Sequence, residues 1–446
     1  MAEQDHESNE TLVDIREGNE MNRGGLGFSR RTLLQGLSAA GVAVTLSKPA
    51  LAVQKTIKIG WVIPQTGPLA LFAAHSVFVI EQIKKEYGGQ IKIAGATYPY
   101  EIILKDSQSS PNRAAEVALD LIIKDKVDLI CASATPETTN PVADQCELNG
   151  VPCVTTGTPL EAWFLGRNGD PKKGFDWTFN FFISAAKGMA SFINIWKRVE
   201  TDKRIGVLFP NDIDGNTFAR IFPEIAKQND IGNYQVFDPG RFDTPVSDFS
   251  TQIAALKGNG ADICLIVAPA PVFTVFWNQA AQQGYRPKVL TPGKVGEFPA
   301  GVTPFGDRAI NFNIEVWWSR YFPFVSSLTG QSCPELAGAF EKFANVQSSM
   351  ALGYDHAIFE VVFDTLKRTQ DVTKRESIRD ALRDTNLKTV AGTVNFQKGP
   401  FPNTADTLVV GGQWRKGKKW PLDLVIVDNA LATDIPVNSE PQAIAY

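Results

Sequence analysis

The stretch VDLICASATPETTNPVADQCELNGVPCVT, residues 127–155, decides the fold. Val127-Asp128-Leu129-Ile130 is a short apolar run of strand character. Asn140-Pro141 opens a helix that stops at Asn149-Gly150, and Val151-Pro152-Cys153-Val154-Thr155 is a second run of the first kind. A strand, a covering helix and another strand at this spacing make a right-handed βαβ unit, and such units build a parallel sheet with helices on both faces.

The same alternation extends in both directions. Upstream lie the strand Ile57-Lys58-Ile59-Gly60-Trp61-Val62-Ile63, a helix-periodic stretch over 69–87 closed by Gly88-Gly89, and the strand Glu101-Ile102-Ile103-Leu104. Ser110 caps a helix with Pro111 at its first position, running to Lys126. Downstream come the strand Arg204-Ile205-Gly206-Val207-Leu208-Phe209, a helix over 216–228, and a helix over 249–257 that Asp248 caps and Gly258 ends. Residues 127–136 and 261–269 echo each other: each is a strand introduced by Asp128 or Asp262, running into a small-residue loop that ends in proline. Two similarly built lobes explain the echo.

The alternation breaks over 291–334, which is rich in Gly, Pro and aromatics and reads as a crossing between lobes. Helices return over 335–346 and 350–368, and Thr373 with Glu376 forms a capping box for a helix through Arg383. Late strands follow at 393–396, 407–410 and 422–427. The expected architecture is α/β, with two doubly wound parallel-sheet lobes and crossings near Thr178, Ile314 and Val390. Residues 53–178 plus 315–389 form the N-terminal lobe, and 179–314 plus 390–430 the C-terminal lobe.

The full chain of 446 residues holds 44 Lys and Arg against 48 Asp and Glu, without the basic excess of a nucleic-acid binder. Its one long apolar stretch, residues 33–46, is shorter than the roughly 18–20 residues that span a membrane. That stretch follows Ser29-Arg30-Arg31-Thr32-Leu33-Leu34 and precedes Ala50-Leu51-Ala52, an Ala-x-Ala cleavage site. Residues 1–52 therefore read as a twin-arginine signal peptide cut after Ala52, which implies a periplasmic protein. Cys131, Cys146, Cys153, Cys264 and Cys333 are an odd set with no metal-binding spacing, so at least one thiol is unpaired. Beyond the leader only His75 and His356 remain, and no nucleophile elbow, Walker loop, dinucleotide fingerprint or HExxH motif occurs. Neither an enzyme, a metal site nor a cofactor is expected.

Lys58-Ile59-Gly60 through Thr66-Gly67-Pro68-Leu69-Ala70, Asp106 with Ser110-Pro111-Asn112-Arg113-Ala114, and Thr139-Asn140-Pro141-Val142-Ala143-Asp144 stand in order. With Asp248-Phe249-Ser250 and Gly353-Tyr354-Asp355, they resemble the leucine/isoleucine/valine-binding family of type I periplasmic solute receptors over essentially the whole chain beyond the leader. The resemblance implies a monomeric two-lobed receptor with a three-strand hinge. It closes over a small solute and delivers it to an ABC permease and ATPase complex in the inner membrane. Ligands of open parallel sheets sit at the carboxyl ends of strands, which points to loops 65–72, 132–140, 155–161 and 292–297.

By the same resemblance, Phe72 packs on the ligand and Thr156, Gly157 and Thr158 supply hydroxyl and glycine contacts. Pro136 stands where the family has its key serine, so Thr135 or Thr138 takes that role or merely caps the helix. Asp214 falls near a cleft tyrosine of the family, and Tyr354 faces the cleft from the late helix. Amino-acid receptors carry a ligand-pairing Glu where this chain has Gly293, beside Lys294. An inward Lys294 favours an anion; an outward one is an ordinary solvated lysine. The expected ligand is a small, aromatic organic acid, with Trp163 as a further flat wall. Glu137, Glu161, Asp214 or Glu297 turned inward would restore an ammonium site. An amino acid or amide ligand, or a sensory role with a membrane signalling partner, are the alternatives. Replacing Arg30 and Arg31 with lysine should leave uncleaved precursor in the cytoplasm by fractionation; unaffected export would assign the general secretory route.

Overall fold

The computed structural model describes residues 55–446, which belong to one compact unit, Val53–Tyr446. The paired arginines and Ala52 lie outside the described residues. In chain order the first strands are β1 (Ile57–Ile63), β2 (Gln90–Ile93), β3 (Ala96–Asp106), β4 (Leu129–Ser133), β5 (Cys153–Thr156) and β6 (Thr178–Phe182). Next come β7 (Arg204–Pro210), β8 (Gln235–Phe237), β9 (Arg241–Phe242), β10 (Ile263–Ala268), β11 (Val289–Lys294) and β12 (Asn313–Val316). The last are β13 (Asn386–Thr389), β14 (Gly392–Asn395), β15 (Thr404–Asp406), β16 (Val410–Lys416) and β17 (Leu422–Asp428).

The first sheet has the order β15-β6-β5-β4-β1-β3-β2 and is parallel except for the β2–β3 hairpin. The second runs β11-β10-β7-β8, with β9 also on β7, and is parallel throughout. β12, β16 and β17 form a separate antiparallel sheet. The expected α/β class with two parallel-sheet lobes is therefore what the chain adopts. β4 and β10 are buried along their whole length, as strands covered on both faces must be.

The echo has a physical basis. Asp128 Oδ2 accepts from the N–H of Lys58 at the start of β1, at 2.9 Å, and Asp262 Oδ1 accepts from the N–H of Arg204 at the start of β7, at 3.3 Å. Each carboxylate secures the first residues of the neighbouring strand, so the same residue does the same work in both sheets.

Several boundaries differ from expectation. The helix expected from Asn140 starts at Pro136, with Thr135 as its N-cap, and Asn140-Pro141 lie inside it. Proline at the first helical position needs no N–H partner, so Thr135-Pro136 supplies the earlier start. Asp212 accepts from the Gly215 N–H at 2.7 Å and begins the next helix at Ile213, which draws Asp214 out of the loop and into the first turn. Asp248 bonds the Ser250 N–H in a turn before the helix Ser250–Gly258. Thr373 gives its hydroxyl to Asp371, and the following helix, Arg375–Arg383, has Lys374 at its cap. Beyond the crossing expected near Val390, the short β15 pairs with β6 at the edge of the first sheet. All five cysteines are free and buried, and among the described residues no helix is long and apolar enough to cross a membrane.

The late helix Ala351–Arg368 is buried nearly all round. A Cβ at Gly353 would come within 2.2 Å of the Trp318 ring, and that ring is fixed by its Nε1–H bond to Val390 O at 3.1 Å. Gly353→Ala should therefore lower stability by about 1–3 kcal/mol; an unchanged urea midpoint would show that Trp318 can move aside.

Candidate functional site

The carboxyl ends of β4 and β5 face those of β7, β10 and β11, and a cavity of about 40 Å³ lies between them. Phe72, Thr135, Pro136, Gly157 and Phe182 come from the first sheet and its connections; Asp214, Phe218, Gly293, Lys294 and Glu297 come from the second sheet and its connections, and Glu315 from β12. The space is narrow, and the two walls touch across it, Phe72 against Phe298 and Lys294 beside Glu137.

Of the expected contacts, Phe72, Thr135, Gly157, Asp214 and Lys294 come together here. Phe72, in a short 3-10 turn Ala70–Ala73, meets Phe298 edge to face at 4.6 Å, a contact across the cleft. Gly157 has φ of 68°, and a Cβ there would press within 3.0 Å of the Ala134 N, so glycine is required where the two loops approach.

Thr138, Thr156, Thr158 and Tyr354 do not line the cavity. Thr138 gives its hydroxyl to Ala134 O in the helix's own first turn. Thr156 Oγ1 donates to Phe181 O at 2.6 Å, and Thr158 Oγ1 pairs with Thr139 Oγ1 at 2.7 Å. Tyr354 is turned into the core, its hydroxyl 2.6 Å from Thr407 Oγ1 and its ring packed on Phe182 and Trp317. Trp163 lies under Arg167 and beside Phe175, away from the cleft. Glu161 is also structural, accepting from the N–H groups of Ala185 and Ala186 at 2.6 and 3.1 Å at the start of the helix Ala185–Trp196.

Lys294 points inward. Its Nζ is 3.2 Å from Asp214, 3.6 Å from Asp212 and 3.7 Å from Glu137. Glu137 belongs to the helix after β4, so this last contact spans the cleft. Burial works against the Lys294 ammonium, but Glu137, Asp214 and Asp212 hold it well above the ordinary lysine range. Its charge is thus already matched by carboxylates of the protein itself. The backbone at Lys294 has φ of 66° and ψ of −67°, a region that side-chain-bearing residues rarely occupy, and its N–H bonds Glu297 Oε1 at 3.2 Å.

Burial pushes the Asp214 carboxyl up to about 7, Lys294 pulling against it and Glu137 with it. Glu297 is pushed up to about 8 by burial and by Asp214. Glu315, on β12, is raised well above the carboxylate range by burial and by Glu297. Glu315 and the rings of Phe182, Phe192 and Phe218 are the site residues that the sequence reading missed. A glutamate between Ile314 and Val316 in an apolar run is the signal that could have found the first.

Residues 56–418 match the family described as "Periplasmic binding protein". No curated protein matches the chain. Among solved structures, the leucine-binding protein LivK of Thermotoga maritima superposes with a TM-score of 0.67 at 19% identity, over 84% of this chain and 99% of that one. An ABC-transporter solute-binding protein of Rhodopseudomonas palustris in complex with 3,4-dihydroxybenzoic acid gives 0.63 at 19%, over 82% and 95%. The branched-chain amino acid transporter substrate-binding protein LivJ of Streptococcus pneumoniae, in complex with isoleucine, gives 0.65 at 19%, over 84% and 100%. At such identities the likeness is one of fold.

The raised carboxyls link the cleft to pH. In the unfolded chain Asp214 and Glu297 ionise near their ordinary values, about 4, whereas in the folded protein they keep their protons until about 7 and about 8. The folded state thus binds more protons over that window, and stability should fall as pH rises through it, by on the order of a few kcal/mol. Glu297→Gln should flatten the decline in urea titrations across the same range; an unaltered slope would place the proton elsewhere.

Proposed function

The chain belongs to the periplasmic binding protein family, and on that premise we propose that it is an extracytoplasmic solute receptor that carries a small organic molecule to an ABC permease and ATPase complex. The observation that carries this reading is the cavity closed between the two walls, with aromatic rings at one side and ionisable groups at the other. Phe72, Phe182 and Phe218 offer flat apolar surface to a ring or a branched side chain. An aromatic acid and an amino acid both have bodies of that kind, and solved relatives hold 3,4-dihydroxybenzoic acid and isoleucine.

The mechanism follows from the geometry. A solute enters when the walls part, and closure brings Phe72 against Phe298 and Glu137 toward Lys294, excluding water and strengthening the polar contacts inside. We assign the lobes to 53–178 plus 315–389 and 179–314 plus 390–430. The short β15 strand within the last segment returns to the first sheet's edge. The protein acts as a monomer in the periplasm after export by the twin-arginine route.

A thermal-shift screen of leucine, isoleucine, benzoate, 4-hydroxybenzoate and small amides, paired with small-angle scattering, tests the reading. A ligand at about 100 times Kd should stabilise the protein by about 2.7 kcal/mol and reduce its radius of gyration. Phe72→Ala should weaken that ligand about tenfold. Stabilisation without contraction, or a constitutive dimer, would count against it.

A further inference from the structure

The polar side of the cleft holds carboxyl oxygens that no donor of the protein reaches. Asp214 Oδ1 and Glu315 Oε2 are buried without a hydrogen-bond partner, in residues 4% and 7% exposed that both line the cavity. Glu137 Oε1 is a third such atom. Among the described residues lining this cavity, Lys294 is the only cation, and Asp214, Asp212 and Glu137 already surround it. The hydroxyls that would receive an anion, on Thr138, Thr156 and Thr158, are committed to the protein's own oxygens. A carboxylate ligand would therefore be buried beside the carboxylates gathered on Lys294, an arrangement that costs several kcal/mol per ion, even where a protonated Glu297 or Glu315 donated to it. A group carrying only donors would instead satisfy the unpartnered oxygens.

Resting on the receptor reading, we propose that the polar end of the solute is an organic cation, an ammonium or amidinium, seated between Asp214 and Glu315, with its apolar body against Phe72, Phe182 and Phe218. The cation is organic because, among the described residues, no group of side chains is arranged to hold a metal ion. Lys294 is then an internal counter-ion, tethered at a strained backbone position, that keeps Asp212, Asp214 and Glu137 gathered when the cleft is empty.

Binding is coupled to protons. The groups facing the site are Glu137 from the helix after β4, Asp212 and Asp214 from the start of the helix after β7, Lys294 and Glu297 from the turn ending β11, and Glu315 from β12. A second positive charge among them favours the ionised carboxylates, so Glu297 and Glu315 release protons on binding and affinity rises with pH.

The test uses benzylammonium and its acidic counterpart benzoate on the purified protein, with calorimetry in two buffers of different ionisation enthalpy and scattering in parallel. Benzylammonium should bind with contraction and proton release, at least tenfold tighter than benzoate. Glu315→Gln and Asp214→Asn should each weaken it tenfold or more with circular dichroism unchanged; if one variant fails to fold, the other decides. Tighter binding of benzoate with contraction overturns the cation and leaves the receptor standing. Benzylammonium or leucine binding that both variants leave unchanged also overturns it. No contraction with either probe or with any compound of the wider screen overturns the receptor reading as well.

Discussion

Two parallel strands cannot be joined by a tight turn; the chain must cross back over a face of the sheet before the next strand begins. Everything else in this protein is arranged around that constraint. Each crossover buries its helix on the sheet and leaves its loop at the carboxyl end of a strand, so both sheets collect their irregular, polar-rich segments on one edge. When the two edges face each other, residues distant in sequence meet: Thr135 and Gly157 after β4 and β5, Asp214 after β7, and Lys294 at the end of β11. The cleft is a consequence of strand direction before it is a property of any residue.

The fold was legible because parallel strands buried on both faces appear as unbroken apolar runs, and because Gly150 and Gly258 mark helix ends in the sequence. Helix starts were harder. At Thr135-Pro136 and at Asn140-Pro141 the same local chemistry occurs twice within one helix, and only packing selects the first: Asn140 is buried and its Nδ2 reaches Ala162 O at 3.1 Å. Asp248 and Thr373 have the composition of caps but bond to the turn in front of the helix, a competition that short polar side chains carry in any context.

Side-chain direction was the weaker inference. Tyr354 sits in a helix buried on nearly every face, so periodicity does not say which side meets the cleft, and its hydroxyl finds Thr407 instead of solvent. The absence of a glutamate at Gly293 was read correctly from the sequence, yet its meaning depended on residues far away. Glu297 four positions on, Asp214 from another helix and Glu315 from another sheet all bring carboxylates to the same space. Charge at a buried site belongs to the group of residues that surrounds it, and a single substitution seldom fixes its sign.

The five buried thiols carry a consequence of their own. Burial pushes the Cys264 and Cys333 thiols up to about 12, and raises those of Cys131 and Cys146 as well, leaving little of the thiolate that attacks disulfides. All five are buried, so the native fold shields them from an oxidant, while an unfolded chain exposes all five sulfurs. Order of events decides the outcome: a chain that folds before it meets an oxidant keeps every cysteine reduced, and one that meets the oxidant first has an odd number of thiols to mispair.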